Sequence, residues 1–223
     1  MNHHTVYATL NTMLEQPRFK TLYQKVRDEF ESQGSLGHGW EHVRRVTVNA
    51  AWIGGEEKAD LDIVMPAIIL HDIGYVTNPD EPRNHPEHGA RECRRYLDDW
   101  SEAQRERIAL CIRKHKAAYP GFSGLEPETL EEQVVCDADQ LDKFGWVGMT
   151  QMVRVYTEYG IKGMNRYKRL PGIVEGLRHL SEIRLYTVTG KRIAAQRAEP
   201  DHLNTARLLE EELALSEGWQ EPV

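Results

Sequence analysis

Leu70-His71-Asp72-Ile73-Gly74 places a neutral imidazole beside a carboxylate at the end of an apolar run, Ile63 to Leu70. The run reads as a buried helix that starts near Asp60 or Asp62 and stops at Gly74. Both polar groups are costly to bury unpaired. The C-terminus of a helix also carries partial negative charge, which disfavours a carboxylate there unless a cation is present. A divalent metal resolves the conflict by taking the His nitrogen and the Asp oxygen as ligands. A buried ion pair or a hydrogen-bonded core histidine would satisfy an isolated dipeptide equally well, so the metal reading rests on the other histidines and aspartates.

His42 recurs with Val46, Asn49 or Ala50, and Ile53 on one face of a helix opening around His38, which turns it toward the core. His38 is expected to stack one turn above it. His85-Pro86-Glu87-His88 opens a further helix with Pro86 at its first position and Ala90, Cys93, Leu97 and Trp100 on the buried face. His88 falls nearly opposite that face, so His85 is preferred to it as a ligand. His115 shares an inner helix face with Ile108 and Ile112, flanked by Lys114 and Lys116. Asp137, Asp139 and Asp142 stand among apolar residues, an unusual density of carboxylates for a core segment. A solvated face with Val134, Ala138 and Leu141 turned inward would explain them, and one aspartate turned the other way would meet a metal.

Helices are expected over 5–33 with a break at Pro17, from 38 to Gly54-Gly55, from 60 to 74, and from 85 to about Trp100. A capping box at Ser101-Glu102-Ala103-Gln104 opens the next, to about Ala118. Further helices are expected from Glu126-Pro127 to Gly145, over 146–159, and at about 172–186, 189–198 and 200–217. With no convincing β alternation, no phosphate-binding glycine loop and no repeats, the sequence predicts an all-α fold in a single domain over 1–223. Apolar content is 40% and charged content 28%, as in ordinary globular proteins. The longest apolar run is too short to cross a bilayer. The N-terminus lacks the basic and apolar regions of a signal peptide, so a cytoplasmic protein is expected. Cys93, Cys111 and Cys136 form no C-x-x-C and read as core filler. The net charge of −7 argues against broad nucleic-acid binding. From Ile161 to Arg197, however, nine Lys/Arg face two Glu, a local +7. That segment reads either as a solvated face or as a source of phosphate contacts.

Taken together, His42, His71-Asp72 and Asp139 give the order H…HD…D, which resembles the HD-domain superfamily of metal-dependent phosphohydrolases. His38-Gly39-Trp40-Glu41-His42-Val43-Arg44-Arg45-Val46 looks like the H-x-x-x-H-x-x-R-V helix of its bacterial members, and Asp137-Ala138-Asp139-Gln140-Leu141-Asp142 looks like their D-A-D-x-L-D/E segment. Thr189-Gly190-Lys191-Arg192-Ile193-Ala194 is similar to a G-K-x-x-A stretch of a cytosolic subfamily. The resemblance covers about 35–197, leaving helices at 5–33 and 200–217 to pack on a helical HD-domain bundle. It implies His42, His71, Asp72 and Asp139 as metal ligands. Two-metal members of the HD-GYP type add histidines between the HD pair and the last aspartate. Their H-P-x-x-G pattern matches His85-Pro86-Glu87-His88-Gly89, and a further one corresponds to His115. His38 occupies the place of an extra ligand that some sites use. The double histidine and the G-Y-P element of HD-GYP proteins are lacking, so the two-metal idea carries over and their substrate does not.

The expected function is hydrolysis of a small phosphate ester, by preference a nucleotide, through a metal-activated water. The expected cofactor is one or two divalent ions from among Mn, Fe, Mg, Co, Ni and Zn. Asp72 bridges two ions in this reading, with Lys114 as a further catalytic residue and Arg45, Lys143, Lys191 and Arg192 as candidate substrate contacts. The same ligand types are similar to those of the superfamily's diiron oxygenases, and a regulatory nucleotide- or metal-binding module is a third reading. No membrane partner is expected, and a homodimer is compatible with the sequence.

Overall fold

The computed structural model describes residues 3–35, 37–117, 125–161 and 183–197, with Arg207 and Glu210. The α-helices whose bounds fall within these residues are α1 (His3–Glu15), α2 (Pro17–Gln33), α3 (Trp40–Glu57), α4 (Leu61–Leu70), α5 (Ile73–Thr77), α6 (His85–Glu92), α7 (Glu102–Lys114), α8 (Leu130–Gln140), α9 (Gly145–Ile161) and α10 (Val188–Gln196). No strand occurs among the described residues. One apolar cluster runs from Val6 in α1 to Ala194 in α10, so the fold is all-α with a shared core, as the sequence predicts.

At the centre is α4, whose residues Ile63 to Leu70 are all buried. A helix apolar on every side can be stable only when surrounded, and α3, α7 and α8 enclose it. Asp60 starts α4 by accepting a hydrogen bond from the Asp62 amide. Pro66 sits inside it without the amide that would bond the Asp62 carbonyl. That carbonyl instead accepts the Trp100 indole N–H at 3.2 Å, which ties the segment before α7 to the central helix.

The chain does not stop at Gly74 as expected. It turns at His71-Asp72 and resumes as α5, with Gly74 inside the new helix. A Cβ on Gly74 would lie 2.1 Å from the His85 carbonyl oxygen, so the missing side chain is what lets α6 close on α5. The capping box at Ser101 and Gln104 is formed. A second one, Thr129 with Glu132, starts α8 later than the expected Glu126-Pro127. After α6 the chain tightens into a 3-10 turn over Cys93–Tyr96 instead of continuing as one helix to Trp100. Residues 172–182 of the expected 172–186 helix lie outside the described residues, and 183–186 are not helical. The expected 200–217 helix lies outside them except for Arg207 and Glu210, which are helical. The three cysteines are buried and none is in a disulfide. No described helix is long and apolar enough to cross a membrane.

Candidate metal centre

Five segments deliver side chains to one point in the core. His42 comes from the first turn of α3, His71 and Asp72 from the break between α4 and α5, His85 from the start of α6, His115 from the residue after α7, and Asp139 from the last turn of α8. None of the six is more than 6% exposed. So many polar groups in a sealed interior require mutual or ligand compensation.

Their donor atoms fall into two sets that share Asp72. In the first, His42 Nε2 lies 3.1 Å from His71 Nε2, 3.5 Å from Asp72 Oδ2 and 3.3 Å from Asp139 Oδ1. His71 Nε2 is 3.3 Å from the same Asp72 oxygen. In the second, His85 Nε2 and His115 Nε2 are 3.2 Å apart and lie 3.3 Å and 3.5 Å from the other oxygen, Asp72 Oδ1. Both Asp72 oxygens and Asp139 Oδ1 are buried without a hydrogen-bond partner. His42, His71 and Asp72 form one candidate metal-holding group, and Asp72, His85 and His115 form another.

The ring orientations make the case sharper. The Nδ1 atoms of His71, His85 and His115 lie 2.8, 2.7 and 2.6 Å from the carbonyl oxygens of Ile68, Pro82 and Ile112, in each case three residues earlier. A carbonyl only accepts, so each Nδ1 carries a proton and each Nε2 is left to face the centre. Burial drives the His115 pKa down to about 3 and lowers that of His85, so both stay neutral. Their facing Nε2 atoms therefore present two lone pairs beside an unpartnered carboxylate oxygen. A cation satisfies all three, and the spacings suit one ion at the roughly 2.0–2.2 Å distances that divalent metals take to N and O ligands. His42 differs. Burial would lower its pKa, but Asp139 and Asp142 outweigh it and raise it to about 9, so in the metal-free chain a proton on His42 partly takes the place of a cation. Burial likewise favours the neutral form of Asp72, yet the adjacent His71 holds it well below the usual carboxylate range.

Asp139 divides its labour. Its Oδ2 receives Lys116 Nζ at 3.2 Å, Lys143 Nζ at 3.2 Å and the Gln140 amide at 3.1 Å. Lys116, which the sequence placed on the flank of the His115 face without a role, reaches Asp139, whereas Lys114 does not. The Lys114 amine points away from the centre, into Glu132 at 3.0 Å and Glu128 at 3.1 Å. Lys143 does reach the centre, and burial lowers its pKa. A cleft of about 180 Å³ is lined by Arg83, Pro86, Glu87, Arg113, Lys116 and Leu125, of which Pro86 and Lys116 are the chain neighbours of His85 and His115, and Arg113 pairs with Glu87.

Other expected contacts go elsewhere. Arg45 is occupied as a fork on Asp142, both bonds 2.8 Å, and so does not face a substrate. Arg192 pairs with Glu56 at 2.6 Å, and the Lys191 amine meets the Tyr186 carbonyl. Glu56 is fourteen residues along α3 from His42, roughly 21 Å at 1.5 Å per residue. His88 lies outside the cluster, bonded to Glu81 at 2.8 Å. His38 precedes α3 rather than opening it, and it contributes no donor to either set. Its ring packs on Tyr75 at 4.4 Å, and Tyr75 stacks on His85 at 4.0 Å. Asp142, given no role in the sequence reading, accepts from His42 Nδ1 at 2.7 Å. Its signal was a carboxylate three residues after Asp139, nearly one helical turn on.

Uncharacterized protein YpgQ of Bacillus subtilis (strain 168) is 36% identical over 135 residues, 60% of this chain and 62% of YpgQ. Ribonuclease Y of Sulfurovum sp. (strain NBC37-1) is 33% identical over 109 residues, 49% of this chain and 18% of that protein. The chain thus spans less than two thirds of each of these relatives. The crystal structure of Bacillus subtilis YpgQ in complex with ADP aligns with a TM-score of 0.55 at 28% identity, over 86% of this chain and 96% of that one. The family model described as HD domain matches residues 39–143, a span that opens three residues before His42 and closes four after Asp139. Over those residues the chain is similar to the HD domain, and the clustered histidines and aspartates lie within the matched span.

Proposed function

We propose that this chain is a metal-dependent phosphohydrolase acting on a small phosphate compound, a nucleotide by preference. The observation that carries the reading is Asp72, whose two unpartnered oxygens each face a separate pair of imidazoles. His42, His71, Asp72 and Asp139 would hold one divalent ion, and His85, His115 and Asp72 a second. Such ions supply Lewis acidity toward a phosphoryl oxygen and a water acidic enough to attack at neutral pH.

The chain's own groups do the rest. In this reading the nucleophile is a metal-bound water, and the imidazoles and carboxylates of the centre serve as metal ligands rather than as nucleophiles. Lys116 and Lys143 hold positive charge on Asp139 Oδ2, where a phosphate oxygen can share them. Burial would lower the Lys116 pKa, but Asp139 and Asp72 outweigh it and keep the amine charged. Arg83 and Lys116 give the adjoining cleft the sign a polyphosphate chain needs. The ADP complex of YpgQ supports a nucleotide as the substrate class.

The test is phosphate release from a panel of nucleoside mono-, di- and triphosphates and simple phosphoesters by protein loaded with Mn²⁺, Mg²⁺, Fe²⁺, Co²⁺ or Ni²⁺. Metal-dependent release by the wild type and none by Asp72→Ala is expected. Oxygen uptake by the iron-loaded protein without phosphate release would reassign the chain to the oxygenase branch. Nucleotide binding without turnover under every metal would make it a regulatory module.

A further inference from the structure

The four imidazoles of the centre are not held alike. His71, His85 and His115 each rest on a backbone carbonyl three residues earlier in their own segment, a neutral and purely local anchor. His42 Nδ1 alone meets a carboxylate, Asp142 Oδ2 at 2.7 Å, a hundred residues away in sequence. Asp142 is 1% exposed and accepts two hydrogen bonds from Arg45, from Nε to Oδ1 and from Nη2 to Oδ2, both at 2.8 Å. The Arg45 guanidinium also donates to Gln151 Oε1 in α9 at 2.7 Å, and the Gln151 amide donates to the Gly37 carbonyl. A carboxylate behind a ligating imidazole fixes the ring and strengthens its donor nitrogen more than a carbonyl does. The His42 side also has the second carboxylate, Asp139, whereas the His85/His115 side has only its share of Asp72.

We infer that Asp142 and Arg45 are positioning residues that make the His42 side the tighter of two metal sites, so that the sites fill in order. The assignment rests on the metal reading above and adds to it an asymmetry with a named cause. Arg45 holds Asp142 in place, Asp142 aims His42, and Gln151 joins this chain of contacts to α9. The weaker site, on local anchors alone, is the one whose occupancy follows metal supply.

The experiment is a Mn²⁺ titration of the chelator-treated full chain, followed by calorimetry and by electron paramagnetic resonance. Two steps of unequal affinity are expected for the wild type, and His115→Ala should remove the weaker step, which identifies it. Asp142→Asn should weaken the tighter step by about 10–100-fold and leave the weaker one in place. Asp142→Glu should restore part of the loss, and Arg45→Ala should weaken the same step to a smaller extent. If Asp142→Asn fails to give a helical circular-dichroism spectrum, Arg45→Lys, at a position 25% exposed, carries the test. Equal weakening of both steps, or a wild type with two equal sites, overturns the inference while leaving the proposed function standing. A wild type that binds no divalent metal overturns both.

Discussion

Asp137 and Asp139 sit two residues apart on α8, on opposite sides of the helix, and both are essentially buried. Their surroundings differ completely. Asp137 accepts from the Tyr186 amide at 2.9 Å, the Thr187 amide at 2.8 Å and the Thr187 hydroxyl at 2.6 Å. Gly190 packs so closely that a Cβ there would fall 2.5 Å from Asp137 Oδ2. Asp139 satisfies one oxygen with two lysines and an amide and leaves the other unpartnered, 3.3 Å from a histidine nitrogen. A carboxylate with both oxygens hydrogen-bonded holds the fold together. One with a buried, unpartnered oxygen is placed for a ligand.

The widest break in that comparison comes from Asp72, the other carboxylate with unpartnered oxygens. Asp72→Ala removes a ligand from both donor sets, so metal binding should fall from two equivalents to none under conditions that saturate the wild type. Phosphate release should drop by at least about a thousandfold, the scale on which metal-activated chemistry exceeds the unassisted reaction. Retained metal and activity would remove Asp72 from the centre of the reading.

Asp137→Ala should do the reverse. It strands the Tyr186 and Thr187 amides and frees the N-terminus of α10, so stability should fall by about 1–3 kcal/mol for each donor left unsatisfied in the interior. Metal stoichiometry should stay at the wild-type value. A variant that loses metal without losing stability would erase the distinction between the two aspartates.

The metal-free centre also predicts a pH profile. An unfolded histidine titrates near 6.5. Burial holds His115 near 3 in the fold, so below 6.5 the unfolded chain binds more protons and stability falls as pH drops from 6.5 toward 3. His42 is raised to about 9, its burial outweighed by Asp139 and Asp142, so its contribution is complete below 6.5 and lost as pH climbs from 6.5 to 9. Urea midpoints of chelator-treated protein should therefore peak near pH 6.5. Metal loading should flatten the upper limb, because a ligated His42 has no proton left to lose. An upper limb unchanged by metal would place His42 outside the ligand set.

Much of this was legible in the sequence for a simple reason. His42, His71, Asp72, His85, His115 and Asp139 are polar groups on the apolar faces or at the ends of helices, and helical periodicity alone turns them inward to one core. Periodicity fails where a helix ends. It set Lys114 and Lys116 on either flank of the His115 face, but α7 stops at Lys114. Lys114 stays on the helix to meet Glu132, while the turn carries Lys116 across to Asp139. Arg45 was misread for a different reason. A cation next to a candidate ligand attracts either a phosphate or a carboxylate, and the carboxylate that claims it is 97 residues away. Parts of the chain at 162–182 and beyond 197 fall mostly outside the described residues, so most of the basic segment stays an expectation.

The smallest expected effect tests the part of that segment in view. The sequence suggested that Lys191 and Arg192 add phosphate contacts at a helix N-terminus, where unpaired amides favour anions. The fold supplies that anion itself, because Asp137 takes the amides of Tyr186 and Thr187 just ahead of α10, and Thr187 caps the Gly190 amide. Arg192, 42% exposed, is committed to Glu56 near the far end of α3 from His42. An exposed pair of this kind contributes at most about 1 kcal/mol. Replacing Lys191 and Arg192 together by Ala should therefore leave KM and kcat for the best phosphorylated substrate within about twofold of wild type and lower the urea midpoint slightly. A rise in KM of tenfold or more would mean that substrate reaches from the Asp139 side of α8 round to the Asp137 side, and the separation of a binding face from a structural one would have to be redrawn.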